Sequence, residues 1–179
     1  MRTFIALELP SEFLENTAQL ASQLSRCVKG RFLSKSTYHL TLAFLGETDE
    51  TSATKVVDIL DALPQHCEAP CLQPTGLGKF GKTSDATLFL ELQASTALNH
   101  LALYTRNELT KQDIAFDTKK FRPHITLARR TSIPKDSLSN LCFPDPEIAT
   151  NVTFFKSILK PEGAEYKALY SVELHLTKN

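Results

Sequence analysis

His39-Leu40-Thr41-Leu42 and His124-Ile125-Thr126-Leu127 decide how the rest of this chain is read. Each is a His-x-Thr-x motif in apolar surroundings, and one falls in each half of the chain. In a β-strand alternate side chains point to opposite faces. His39 and Thr41 then share one face and Leu40 and Leu42 the other; His124 and Thr126 likewise oppose Ile125 and Leu127. Each strand presents an imidazole beside a hydroxyl, backed by aliphatic core. On a helix the i, i+2 pair would diverge. We therefore expect two motif strands, with the halves of the chain folded together so that both histidines face one cleft.

Working outward, Thr3 to Leu9 alternates as a strand, and Pro10-Ser11 opens a helix with Ser11 as its N-cap. Leu14, Ala18, Ala21, Leu24 and Val28 recur at helical spacing up to Gly30, the expected stop. Tyr38 to Leu45 is the first motif strand, closed by Gly46. Thr51 to Leu63 is a second helix, ended by Pro64. The order then repeats: a strand at Thr87–Leu92, a helix at Ser95–Gln112, and the second motif strand at Phe121–Ala128. Val152–Leu159 and Leu169–Thr177 are two further strands, joined through Pro161-Glu162-Gly163. Their hairpin is expected beside the first sheet. Thr131 to Pro146 is expected to connect the lobes. The expectation is a single domain over 1–179, made of two pseudo-symmetric lobes with motif segments at about 36–46 and 121–130.

Formal net charge is zero and 42% of the 179 residues are hydrophobic, as in an ordinary soluble globular protein. Zero net charge argues against a broad electrostatic grip on long nucleic acid, though not against recognition of one or two phosphates. Cys27, Cys67, Cys71 and Cys142 form no C-x-x-C pair and no zinc pattern. They read as reduced cysteines of a cytoplasmic protein. The apolar run at Thr3–Leu7 is too short for a signal segment. No stretch approaches the roughly 18 apolar residues of a membrane span. Asn151-Val152-Thr153 matches a glycosylation sequon but reads as a strand entry.

Gly76-Leu77-Gly78-Lys79-Phe80-Gly81-Lys82-Thr83 matches both G-x-x-x-x-G-K-[ST] and G-x-G-x-x-G. Both phosphate loops require a helix N-terminus directly after them. Here Ser84 to Leu90 reads as a turn and a strand, so a glycine-rich hairpin loop is expected, with Lys79 and Lys82 near enough to edge a phosphate site.

Two histidines suit acid–base catalysis near neutral pH, since an unperturbed pKa of about 6.5 lets one be protonated and the other neutral. The paired hydroxyls of Thr41 and Thr126 suit an oxyanion. A phosphodiester matches this set: its non-bridging oxygens need donors, and in-line displacement needs base and acid on opposite sides. A metal centre matches it less well, because two His and two Thr offer two good ligands and no carboxylate lies in either motif. Lys119, Lys120, Arg122, Arg129 and Arg130 form a basic rim. Strand parity puts Arg122 on the face of His124, and Arg129 reaches the site by turning back at the strand end. Phe44 and Phe80 are candidates to stack on a base, core packing being the other role open to Phe44. His66, His100 and His175 lack this setting and are expected at the surface or in packing.

The extended motifs His39-Leu40-Thr41-Leu42-Ala43-Phe44-Leu45-Gly46 and Phe121-Arg122-Pro123-His124-Ile125-Thr126-Leu127-Ala128-Arg129, with the opening Arg2-Thr3-Phe4-Ile5-Ala6-Leu7, resemble the two-histidine (2H) phosphoesterase superfamily. The sequence is most similar there to the RNA 2′,3′-cyclic phosphodiesterases, also called the 2′-5′ RNA ligase family, over nearly the whole chain. The resemblance implies a bilobal α+β fold, with two antiparallel sheets facing a central cleft and helices outside. It implies hydrolysis of a terminal 2′,3′-cyclic phosphate to a 2′-phosphate, with His39 as general acid, His124 as base, and Thr41 and Thr126 holding the phosphate. Arg122 and Arg129 are further substrate-binding candidates, and a reversible 2′-5′ ligation is a possible second reaction. No metal or organic cofactor is implied. Expected partners are RNA 3′ ends or small cyclic nucleotides, with no membrane, and the expected state is a monomer. The alternatives are a 2′,5′-oligonucleotide phosphodiesterase and a non-catalytic RNA-end-binding module.

Overall fold

Strand β1 (Arg2–Leu7) lies inside a four-stranded antiparallel sheet, and every residue in it after Arg2 is buried. The computed structural model describes residues 1–134 and 138–176. β1 pairs on one side with β3 (Leu40–Glu47) and on the other with β9 (Asn151–Lys160), which pairs with β10 (Gly163–Glu173). The second antiparallel sheet runs β2 (Lys29–Phe32), β7 (His124–Ser132), β6 (Asp85–Leu92), β5 (Pro74–Lys82). A two-residue pair joins β4 (Cys71–Leu72) to β8 (Glu147–Ile148). Three helices, α1 (Ser11–Ser25), α2 (Glu50–His66) and α3 (Thr96–Lys111), supply the apolar layer. The architecture is α+β, and each sheet holds one motif strand.

The helices form because their apolar residues fall on one stripe. Phe13, Leu20, Ala21 and Leu24 of α1, Val56, Ile59, Leu60 and Leu63 of α2, and Leu98, Leu101, Ala102 and Leu109 of α3 are all buried. They share one core with Leu40, Leu42, Ile125 and Leu127, the residues that alternate with the motif His and Thr. Burial of those four aliphatics, each worth about 1.5–3 kcal/mol, turns the polar faces of the motif strands away from the core. α2 packs on β9, β10 and α3, and α3 packs on β3.

Several boundaries differ from expectation for local reasons. Pro10 caps α1 and Ser11 is its first helical residue. α1 ends at Ser25, and Val28 N–H donates to the Leu24 carbonyl at 2.8 Å in a trailing turn. Gly30 is not a helix stop but part of β2, where an added Cβ would lie 2.6 Å from Thr131. Pro64 sits inside α2 rather than ending it. In the last turn its missing N–H removes one bond, and Cys67 N–H restores the ladder to the Leu63 carbonyl at 2.8 Å.

The glycine stretch is a strand, not a loop: β5 runs through Lys82 and turns directly into β6. The helix that a phosphate loop needs is replaced by a strand, so that reading ends here. β2 has no counterpart among the expected strands, because Lys-Gly-Arg-Phe shows no apolar alternation. β10 begins at Gly163, six residues before its expected start at Leu169, because most of its side chains are exposed. Its expected end, Thr177, lies outside the described residues. The expected connection from Thr131 begins as the end of β7, and its residues 135–137 also lie outside the described residues. The C-terminal hairpin does lie beside β1. No described helix is long and apolar enough to cross a membrane.

Candidate active site

The two motif strands share one irregularity that decides which side chains meet. In β3, Thr41 pairs with Ala6 and Ala43 with Ile5, leaving Leu42 as an extra residue. In β7, Thr126 pairs with Phe89 and Ala128 with Leu88, leaving Leu127 extra. Leu42 and Ala43 are both buried, as are Leu127 and Ala128. Such a bulge sends two successive side chains to one face and resets the alternation. Phe44 and Arg129 therefore emerge on the face of Thr41 and Thr126, where strict alternation would send both to the core. Phe44 is half-buried there, with the Arg2 guanidinium carbon 4.9 Å from its ring centroid.

His39 lies one residue before β3. Its Nδ1–H donates to the Thr37 carbonyl at 2.7 Å, and its Nε2 is 3.0 Å from the Thr41 hydroxyl. Since a carbonyl can only accept, the neutral ring carries its proton on Nδ1 and leaves Nε2 as acceptor. Two aromatic rings wall it in. Phe4 lies 4.7 Å away between centroids and Tyr166 stands edge-on at 5.2 Å. Burial is the main reason its pKa falls to about 4; the Thr37 carbonyl opposes the drop, and the charges of His124 and Arg129 add to it.

His124 opens β7, with Nδ1–H donating to the Arg122 carbonyl at 2.6 Å. Its Nε2 has no protein partner among the described residues, and neither does the Thr126 hydroxyl. Phe80 stands edge-on to the ring at 5.1 Å and Phe89 lies at 5.0 Å. The Phe89 ring lies directly on Gly78, where a Cβ would meet it at 2.3 Å. The middle glycine of the apparent phosphate loop thus makes room for the ring behind the second histidine. Burial again lowers the pKa; the Arg122 carbonyl resists, and the charges of Arg122 and Arg129 lower it further.

His39 feels the charge of His124 and both feel that of Arg129, and β3 touches β7, so the two motif strands bring their histidines within electrostatic reach of each other. Arg129 is exposed and has no carboxylate partner among the described residues. Arg122 differs. Its Nε and Nη2 donate to Glu91 Oε1 at 3.0 and 2.7 Å, and its guanidinium lies over Phe80 and Phe89. It is on the His124 side, as parity gave, but engaged by a carboxylate. Lys79 is exposed and donates to the Gly81 carbonyl at 3.1 Å. His66 stacks on Tyr104 and His100 bonds the His66 carbonyl, so these two serve packing.

Sequence reasoning missed Arg2, Phe4, Phe89, Glu91 and Tyr166. Phe89 and Glu91 were accessible in principle, since they face Thr126 and His124 across the β6–β7 ladder. Tyr166 was not, because nothing in the sequence brings β10 to His39. Among the described residues no group of three or more His, Cys, Asp or Glu is placed to hold a metal ion.

A family model described as LigT like phosphoesterase matches residues 7–89 and 88–164. The chain is 30% identical to the RNA 2′,3′-cyclic phosphodiesterase of Thermotoga maritima, covering 97% of this chain and 95% of the relative. It is 26% identical to the protein of that name in Methanocaldococcus jannaschii, covering 94% and 98%. Among solved structures, a Thermus thermophilus protein superposes with a TM-score of 0.81 at 25% identity, covering 99% of this chain and all of that one. Escherichia coli LigT complexed with 3′-AMP superposes at 0.79 and 22% identity, covering 97% of each, and shares the fold.

Proposed function

The chain belongs to the LigT-like phosphoesterase family, and on that premise we propose that it hydrolyses the 2′,3′-cyclic phosphate of RNA 3′ ends, or of small cyclic nucleotides, to a 2′-phosphate. The observation that supports this reading most is a pair of imidazoles, one from each sheet, close enough for His39 to feel the charge of His124. Each has its Nδ1–H tied to a backbone carbonyl, and the Nε2 that remains is open in His124 and met by the Thr41 hydroxyl in His39. His124, whose Nε2 lone pair is open, is the base that takes a proton from water. His39 is the acid that protonates the departing O3′. A phosphodiester between them meets both on opposite sides, as in-line displacement requires.

Before substrate binds, His39 is neutral near pH 7, its pKa lowered to about 4 by burial. The bound phosphodiester anion supplies the negative charge that raises it. Once His39 is protonated its Nε2 becomes a donor, and the Thr41 hydroxyl, no longer needed there, turns to the phosphate. Thr41, Thr126 and Arg129 hold the non-bridging oxygens, and Arg122 stays at the rim beside Glu91. Phe44 and Phe80, the latter 40% exposed, are the rings available to a base.

The test is a short RNA ending in a 2′,3′-cyclic phosphate, incubated with the protein in EDTA. The expected product carries a 2′-phosphate, and formation is lost in His39→Ala and His124→Ala. A 3′-phosphate product, or turnover that survives both substitutions, would overturn the assignment.

A further inference from the structure

Tyr166 stands against the proposed proton donor and has no role in the scheme above. We propose that it is a third hydroxyl of the cleft, donating a hydrogen bond to a non-bridging oxygen of the phosphoryl group held between His39 and His124. The inference rests on the phosphodiesterase reading of that cleft.

Tyr166 lies on β10, an edge strand whose flanking residues Glu165 and Lys167 are exposed, yet its own side chain is half-buried. The ring reaches over the sheet to make edge contacts with Phe4 at 4.9 Å and His39 at 5.2 Å. What carries it there is the curl of the β9–β10 hairpin. At the hairpin turn Arg31 Nη2, from β2 of the other sheet, donates to the Glu162 carbonyl at 3.0 Å. β10 also touches the 3-10 turn Lys35–Thr37, which supplies the carbonyl that holds His39. The hairpin is thus anchored on both sides of the cleft.

The hydroxyl itself has no protein hydrogen-bond partner among the described residues. A phenylalanine would pack on Phe4 and His39 equally well, so packing accounts for the ring and leaves the hydroxyl, which reaches solvent, free to meet a ligand. The groups nearest in charge are Arg129 from the second sheet and Arg2 from the first, both close enough to favour its ionised form. Burial outweighs them and keeps the phenol above its ordinary pKa, so it stays a donor at neutral pH. A hydroxyl on a ring packed against the His39 imidazole, with its proton free and two arginine charges within reach, is placed for an anion.

Tyr166→Phe isolates the hydroxyl, because the ring and its packing remain. Turnover of a nucleoside 2′,3′-cyclic monophosphate and the Kd of the corresponding 2′-monophosphate would be measured for both proteins, with the His39 titration followed by NMR. The expected result is a loss of about tenfold in kcat/KM and a similar weakening of the 2′-monophosphate, with His39 titrating as in the parent. Tyr166→Phe within about twofold of the parent in both readouts would overturn the proposal, as would losses accompanied by a moved His39 titration. If the parent binds the 2′-monophosphate but does not turn over the cyclic substrate, the phosphodiesterase reading fails while the binding arm still decides on Tyr166. A parent that does neither overturns both.

Discussion

His39 and His124 donate Nδ1–H to the carbonyl two residues earlier at 2.7 and 2.6 Å, but only His39 has its Nε2 met by a threonine. The strand geometry around the two motifs is repeated down to the bulge at Leu42 and Leu127. The walls are not. Phe4 and Tyr166 close over the first imidazole, whereas Phe80 and Phe89 back the second and leave its Nε2 open. Where the second motif places Arg129 the first places Phe44. The difference teaches that a repeated motif sets where the imidazoles point, and the neighbours set how each is walled in and what meets its Nε2.

The comparison breaks most sharply if either histidine is dispensable. His39→Ala and His124→Ala are each expected to cost about 10²–10⁴ in turnover of a 2′,3′-cyclic substrate. A loss below about threefold at one of them would remove it from the pair. Next come the two arginines beside the second motif. Arg129→Ala is expected to lower kcat/KM by about 10–100-fold, the scale of a hydrogen bond to a charged group, and Arg122→Ala by clearly less, since Glu91 engages it. Arg129→Ala also removes a positive charge that lowers both histidines, so NMR titration should show both pKa values rise.

The pH profile sharpens the same contrast. The base must be neutral, so kcat/KM falls on the acid side below the lowered pKa of His124. The acid must be protonated, so kcat/KM falls on the alkaline side of the His39 pKa of about 4 in the free protein. The optimum of kcat/KM therefore lies below about 6.5, the ordinary imidazole value. The kcat profile should sit at higher pH, because bound phosphate raises His39. An optimum of kcat/KM above pH 7 would contradict these roles.

Gly78→Ala tests the wall behind His124 alone. Its methyl would strike the Phe89 ring at 2.3 Å, and overpacking of this kind costs about 1–3 kcal/mol, seen as a fall in Tm of a few degrees for each kcal/mol. The smallest effect is expected at Lys82→Ala, within about twofold in kcat/KM, because Lys82 ends a β-strand rather than cradling a phosphate.

The motif strands, the helical stripes and the place of the C-terminal hairpin were legible because each rests on a period, and period is what sequence displays. The face of Arg129 was not. Two adjacent buried residues, Leu127 and Ala128, shift the count by one, and only the register with β6 reveals it. Arg122 was placed on the correct side, but its partner Glu91 lies on another strand, so its engagement was invisible. β2 and the first half of β10 carry mostly exposed side chains and show no alternation. Tyr166 reaches His39 only through the curl of a hairpin made far downstream.

That hairpin sets an order of events. β1 pairs on one side with β3 and on the other with β9, so the earliest strand is completed by one of the last. Both histidines leave the ribosome before Asn151 does, yet the wall over His39 is completed only when β10 brings Tyr166 to join Phe4. Contacts so distant along the chain form slowly. During synthesis the second sheet can therefore assemble around His124 while His39 still lacks the ring of Tyr166. The nascent chain holds all of its motif residues and still lacks the environment that makes the two histidines unequal.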